Sequence, residues 1–202
     1  MEYLFKDLLI NLIWPPSKKP QFTCSHDGSV LRFYSKDAPI YIRTMTKISI
    51  EDGETFEFET KILNGGTFSI GIGFTTNIGM FGEGRSPEEI DENTIGLVLN
   101  DKAFCHGQNY TEVFSENNAN GDVISCHLEQ HHICGVVCHG YLRFEVFRNG
   151  VSLRRQLVRE QKMYPCIWVS SGHVVLQTKF KGMCFVCDNI IQILIWNKWN
   201  IL

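Results

Sequence analysis

Thr55-Phe56-Glu57-Phe58-Glu59-Thr60-Lys61-Ile62-Leu63-Asn64-Gly65-Gly66-Thr67-Phe68-Ser69-Ile70-Gly71-Ile72-Gly73-Phe74 contains two runs of alternation. Phe56, Phe58, Thr60 and Ile62 alternate with Glu57, Glu59 and Lys61. Phe68, Ile70, Ile72 and Phe74 alternate with Ser69, Gly71 and Gly73. A period of two is that of a strand with one face buried. Asn64-Gly65-Gly66 between the runs supplies the glycines that a hairpin turn needs. Parity selects a three-residue loop, which sets Phe56 against Phe74, Phe58 against Ile72, Thr60 against Ile70 and Ile62 against Phe68. A two-residue loop would turn one strand's apolar face to solvent. Gly71 and Gly73 weaken a strand on their own, so a neighbour is expected to pack closely against that face.

The same signals recur along the chain. Phe22 to Cys24, Val30 to Tyr34 and Ile40 to Thr44 read as short strands. Thr94 to Leu99 and Ala103 to His106 form a strand pair, and Val123 to Leu128 is another strand opened by Gly121-Asp122. Tyr141 to Phe147 and Val151 to Leu157 flank Asn149-Gly150, the preferred type I′ pair; a two-residue loop there sets Val146 against Leu153 and Leu142 against Leu157. Cys166 to Val169, a turn at Ser170-Ser171-Gly172, and His173 to Phe180 make the last β unit. Thr75 to Asn93 and Tyr110 to Asn120 read as polar surface loops. Many short strands without intervening helices predict an all-β fold, a bent antiparallel β-sandwich.

The ends differ in character. Leu4, Phe5, Leu8, Leu9, Leu12 and Ile13 share one face of a short N-terminal helix, which the prolines at 15, 16 and 20 terminate. The predicted division is 1–20 as this helix and a Pro-rich linker, 21–182 as the sandwich and 183–202 as an apolar C-terminal tail. Ile190 to Trp196 in that tail is too short to span a bilayer.

Composition excludes several function classes. With 202 residues and a formal net charge of −3, the chain has no basic stripe for nucleic acid. No secretory signal is evident, and several of the eight cysteines sit in apolar runs, as buried free thiols do. A reducing cytoplasmic location is therefore expected, where the sequon Asn109-Tyr110-Thr111 stays unmodified. Gly82-Glu83-Gly84-Arg85-Ser86 lacks the lysine and the strand-to-helix setting of a phosphate loop. Cys184-Phe185-Val186-Cys187 has redox spacing without the helix that should follow it.

The ordered landmarks resemble the SPRY domain, the core of the B30.2 family. Phe56-Glu57-Phe58-Glu59 with Ile70-Gly71-Ile72-Gly73-Phe74, Gly121-Asp122-Val123-Ile124-Ser125-Cys126, Phe144-Glu145-Val146-Phe147-Arg148-Asn149-Gly150 and Met163-Tyr164-Pro165-Cys166 follow the family order over about residues 55 to 180. No PRY, RING or SOCS-box segment is visible. Thr94 to Asp101 departs from the family's usual Trp and Gly-Tyr-His-Gly-Asp-Asp-Gly stretch, and Ser170-Ser171 stands where members that recruit Asn-rich peptides carry an aromatic. The resemblance implies a sandwich that binds protein or peptide through loops at one end, without catalysis or cofactor, as members do in ubiquitin-ligase or signalling assemblies.

Interface energy concentrates in aromatic and arginine anchors, which makes Arg85, Phe104, Tyr110 and Arg154 the candidate anchors, with Thr75 and Asp101 as polar contacts. A rival reading is a structural metal protein: His131, His132, Cys134, Cys138 and His139 crowd one expected loop, His131 to Gly140, and suit tetrahedral zinc, although their spacing matches no standard finger. A further rival is a structural subunit held by its apolar ends. Neither the partner nor the oligomeric state follows from the sequence.

Overall fold

Strand-forming alternation covers most of the chain, and the structure, a computed structural model, realises it almost throughout. It describes Trp14, Pro15 and residues 21–181, apart from 26–28, 37, 46–47, 49, 51–54, 66–68, 77–78, 100, 115–118, 134–135, 160 and 162, and apart from the side chains of 65, 131–133 and 136–139. The expected helix within residues 1–13 and the tail 183–202 lie outside the described residues. The elements are β1 (Phe22–Cys24), β2 (Val30–Ser35), β3 (Ile40–Arg43), β4 (Thr55–Gly65), β5 (Ser69–Thr75), β6 (Phe81–Glu83), α1 (Pro87–Ile90), β7 (Ile95–Val98), β8 (Ala103–His106), β9 (Asn109–Glu112), β10 (Val123–Ile133), β11 (Val136–Arg148), β12 (Val151–Arg159) and β13 (Tyr164–Lys181).

These strands build two antiparallel sheets that share β13. One sheet runs β12-β11-β10-β4-β13-β2-β1 and the other β6-β3-β13-β5-β7-β8-β9. The first half of β13, from Tyr164 to Val169, pairs with β3 and β5, and the second half, from Gly172, pairs with β2 and β4. Where a turn is expected at Ser170-Ser171-Gly172, the strand continues. A register shift between Val169 and Ser171, with Gly172 at φ 97°, bends it from one sheet into the other.

The opening stretch needs a larger correction. β4 and β5 do not pair. β4 lies between β10 and β13 in one sheet, β5 between β13 and β7 in the other, and Asn64 and Gly65 pair with Val175 and Val174 instead of forming a turn. Phe56 and Phe74 still meet, edge to face with centroids 5.9 Å apart, but across the sandwich. Alternation establishes which face of a strand is buried, and a partner in the opposite layer satisfies it as well as one in the same sheet.

The core between the layers is dominated by phenylalanine. Phe58 stacks on Phe180 at 5.0 Å, Phe74 meets Phe144 edge-on at 5.7 Å, and Phe144 contacts Phe104 at 5.8 Å. Each fully buried ring contributes roughly 1.5–3 kcal/mol relative to exposure. Trp14, from the Pro-rich stretch, joins this core at 5.9 Å from Phe58 and donates its Nε1–H to Thr178 Oγ1 at 3.2 Å.

Two smaller expectations are refined. Asn149 and Gly150 adopt φ 51° and 79°, as a type I′ turn requires, and Arg148 faces Val151. A bulge then moves the register by one, so that Val146 faces Arg154 and Leu142 faces Val158, not Leu153 and Leu157. The stretch His131 to Gly140 is not a loop along its backbone: β10 reaches Ile133 and β11 starts at Val136, with His132 opposite Val137.

The glycines of β5 meet the expected close neighbours. A Cβ on Gly71 would lie 1.8 Å from the Trp168 ring, and one on Gly73 would lie 2.0 Å from the Ile95 carbonyl oxygen. Gly71→Ala is therefore expected to cost about 3 kcal/mol in urea denaturation, since Trp168 is fully buried and has no room to move. Gly84→Ala, with open space but φ 97°, should cost only about 1 kcal/mol. Equal midpoints for the two variants would contradict the packing described.

Candidate interaction site

Alternation along β13 sends Ile167 and Val169 into the inner core and Cys166 and Trp168 to the other side of the sheet. There they form a second small cluster with Tyr41, Val98 and Cys105. The indole lies flat across Gly71 because that position has no side chain. Burial pushes the Cys105 and Cys166 thiols far up, so both act as inert apolar groups.

The cover of this cluster comes from the stretch expected to be a plain surface loop. Phe81 to Glu83 adds to β3 as β6, and Ser86-Pro87-Glu88-Glu89 starts α1. Ser86 is the N-cap, Pro87 occupies the first turn, and Glu89 Oε2 accepts from the Ser86 backbone N–H at 3.1 Å, a capping box. This short helix drives Glu88 inward until it is only 4% exposed. Its Oε1 accepts from Trp168 Nε1–H at 3.1 Å and from the Tyr110 hydroxyl at 3.3 Å. Burial raises the Glu88 carboxyl above the ordinary range, opposed in part by its hydrogen bonds, those from Tyr110 and Trp168 among them.

Asp91 ties down the end of the same segment. Its Oδ2 accepts from the Thr75 hydroxyl at 2.8 Å and from the Thr76 backbone N–H and hydroxyl at 2.7 and 2.8 Å, while Oδ1 accepts from the Asn93 backbone N–H at 3.0 Å. Burial alone would raise this carboxyl, but these bonds outweigh it and hold it below its ordinary value.

Between this segment and the β8–β9 turn lies a cleft of about 720 Å³. Thr76 and the run Glu88 to Asn93 line it on one side, His106 to Asn109 on the other. Ile90 is 47% exposed on the first wall, and Tyr110, also 47% exposed, stands next to the second. His106 Nδ1 lies 2.7 Å from Gln156 Nε2, so β12 of the opposite sheet supports the far wall.

The sequence-derived candidates are thus distributed unevenly. Thr75 and Phe104 are buried, Thr75 as a support of Asp91 and Phe104 in the inner core, so neither is a surface contact. Tyr110 stands beside the cleft, joined to it through Glu88. Arg85 is exposed immediately before the Ser86 cap. Arg154 is exposed on β12, its guanidinium 5.8 Å from the Phe104 ring centroid. Asp101 sits in the β7–β8 turn, at the end of those strands away from Gly107. The side chains of His131, His132, Cys134, Cys138 and His139 lie outside the described residues. Glu88, Ile90, Asp91 and Trp168 were not singled out by sequence reasoning, although the pattern Ser-Pro-Glu-Glu carries the capping-box signal.

The Gly-Asp and Arg-Asn-Gly motifs meet elsewhere. Asp122 Oδ2 accepts from Arg148 Nη2 at 2.8 Å, both side chains being buried, and Asp122 Oδ1 accepts from Asn149 Nδ2 at 2.8 Å. Asn149 Oδ1 in turn accepts the Val123 backbone N–H. These motif residues lock β10 to the β11–β12 turn.

No family model matches the sequence, and no curated protein matches it. Solved structures do. A human SPRY domain aligns with a TM-score of 0.59 at 12% identity, over 78% of this chain and 94% of that one. The TRIM65 PSpry domain aligns with a TM-score of 0.54 at 12% identity, over 89% of this chain and 99% of that one. The fold is SPRY-like. A TM-score of 0.50 at 10% identity, over 87% of this chain and 93% of that one, relates the SPRY-like sandwich also to the Emp47p carbohydrate recognition domain. The resemblance read from four sequence motifs therefore extends to the three-dimensional architecture.

The raised Glu88 carboxyl makes a signed prediction. A group whose folded pKa is raised contributes stability below its unfolded pKa, and that contribution is lost as pH rises through the folded value. Wild-type stability, relative to Glu88→Gln, should thus fall as pH rises from the ordinary carboxylate range through the raised Glu88 value. Parallel urea midpoints for the two proteins across that range would contradict the burial of a titrating Glu88.

Proposed function

We propose that the chain is a non-enzymatic protein-interaction module that grips a partner protein at the sandwich end carrying α1 and the β8–β9 turn. The observation that carries this reading is the cleft itself, whose near wall is fixed from behind by Glu88 and Asp91 while Ile90 and Tyr110 stay exposed in front. Rigid walls with exposed apolar anchors suit protein recognition, because little ordering entropy is lost on binding. The likeness to SPRY and PSpry domains supports the same reading. Its finer form is an adaptor that presents an extended peptide to a ubiquitin-ligase or signalling assembly in the reducing interior of the cell. The thiols Cys105, Cys126 and Cys166 are buried and form no disulfide, in keeping with that location.

The outer face of the β4-β13 sheet offers an internal control. Lys181 pairs with Glu57 at 2.9 Å and Lys179 with Glu59 at 3.8 Å, a solvated ladder remote from the cleft in the strand order. Proteins captured by the full chain from cells and identified by mass spectrometry should bind Lys179→Ser as tightly as wild type. Ile90→Ala and Gln108→Ala should each weaken the purified partner by about tenfold, a loss of about 1.4 kcal/mol. A partner whose affinity ignores both cleft variants would place recognition on another surface.

A further inference from the structure

We propose that the edge of β12 receives an acidic extended segment of a partner protein, which pairs with it as an added strand. This surface is distinct from the cleft lining, to which β12 contributes no residue.

The two sheets end in four edge strands. β1 and β6 have three residues each, β9 has four and β12 has nine. Short edges offer little to a further strand, whereas a long one presents a row of open backbone groups. Among the described residues β12 pairs with β11 alone, and no backbone hydrogen bond outside that ladder reaches it. Alternate residues of such an edge turn their N–H and C=O away from the sheet. The bulge at Leu153 leaves residues 154–159 as a regular stretch, enough to pair a strand of ordinary length, about five or six residues.

The side chains specify the occupant. β12 carries Arg154, Arg155 and Arg159 and no acid. Arg155 is paired with Glu145 at 2.8 Å, yet its side chain stays 58% exposed. Arg154 lies over the Phe104 ring, and neither it nor Arg159 has a carboxylate partner among the described residues. Alternation turns Gln156 and Val158 toward the opposite sheet, where Gln156 meets His106, and turns Arg155, Leu157 and Arg159 outward. Leu157 is exposed, as is Tyr141, which stands opposite Arg159. A strand laid beside β12 would set its outward residues against this Arg-Leu-Arg series. Acid, apolar and acid at alternate positions match it.

The same charges act against a second copy of the chain. Two β12 strands side by side would bring arginines against arginines, which is destabilising. Charge at an edge deters self-pairing and by the same field favours a strand of opposite sign. The chain's own tail, 182–202, matches poorly, because Asp188 and Lys198 are its only charged side chains.

The test uses the full chain, labelled with nitrogen-15, and two end-blocked peptides, Thr-Glu-Thr-Val-Thr-Glu-Thr and the same sequence with glutamine in place of glutamate. The acidic peptide is expected to shift the amides of residues 154–159. It should bind about tenfold more tightly than the glutamine peptide and weaken as salt is raised. Arg159→Gln, an exposed change, should weaken the acidic peptide about threefold and leave the glutamine peptide unchanged. Lys179→Ser, which removes one positive charge from another strand, should leave both unchanged. Backbone N-methylation distinguishes strand pairing from charge alone. Methylating the acidic peptide at Glu, Val and Glu, or instead at the two threonines between them, should abolish binding in one case and spare it in the other, since only one alternate set of amides faces β12.

Equal binding of the acidic and glutamine peptides at β12 would overturn the inference, as would retention of binding by both N-methylated forms. No shift with millimolar acidic peptide, or shifts confined to another surface, would overturn it too. So would a concentration-dependent dimer in which the β12 amides become protected from exchange, since the edge would then belong to a second copy.

Discussion

The Trp168 indole occupies space that exists only because Gly71 has no side chain, and its Nε1–H reaches the Glu88 carboxylate 3.1 Å away. Three consequences follow from this one placement. β5 must carry glycine at that position. The outer face of the β5–β7 sheet gains a small apolar cluster that needs a cover. Glu88 supplies the anchor of that cover, which brings α1 and Asp91 into position as a cleft wall. A buried carboxylate is expensive without donors; here an indole, a phenol and a short helix share the task.

β13 supplies the second constraint. One continuous strand serves both sheets, so the placement of Trp168 on the outer face of one and of Leu176 and Phe180 in the core is set by a single bend at Ser170 to Gly172. A change that straightened this bend would alter the core and the cleft wall together. The polar locks are arranged differently: Asp122, Arg148 and Asn149 fix the β10 to β12 end without touching the cleft.

Much of the architecture was legible from residue patterns, for reasons that particular residues make plain. Strand existence follows from alternation, and the Asn149-Gly150 turn follows from the positive φ that both residues tolerate. The demand for a close neighbour at Gly71 follows from its missing side chain. Pairing was less legible. Phe56 and Phe74 were matched correctly as contacts and wrongly as hairpin partners, because burial parity is the same within a sheet and across a sandwich. The bulge at the β11–β12 ladder leaves no compositional trace. Near the cleft, residue type singles out Tyr110, which stands beside it, whereas Glu88 reads in the sequence like any solvent-facing acid. Its burial depends on Trp168, eighty positions away.

The claim that Trp168 and Glu88 together hold the cleft wall is tested most directly by amide hydrogen exchange on Trp168→Phe. This change keeps an aromatic side chain at the position and removes the donor together with part of the indole's volume, for which the amides of β7 and β10 serve as the control. The Asp91 amide, bonded to the Pro87 carbonyl, and the Glu89 amide, bonded to the Ser86 carbonyl, should exchange about tenfold faster or more. Amides of β7 and β10 should keep their wild-type protection. Unchanged protection at Glu89 and Asp91, or an equal loss across β7 and β10, would contradict the account.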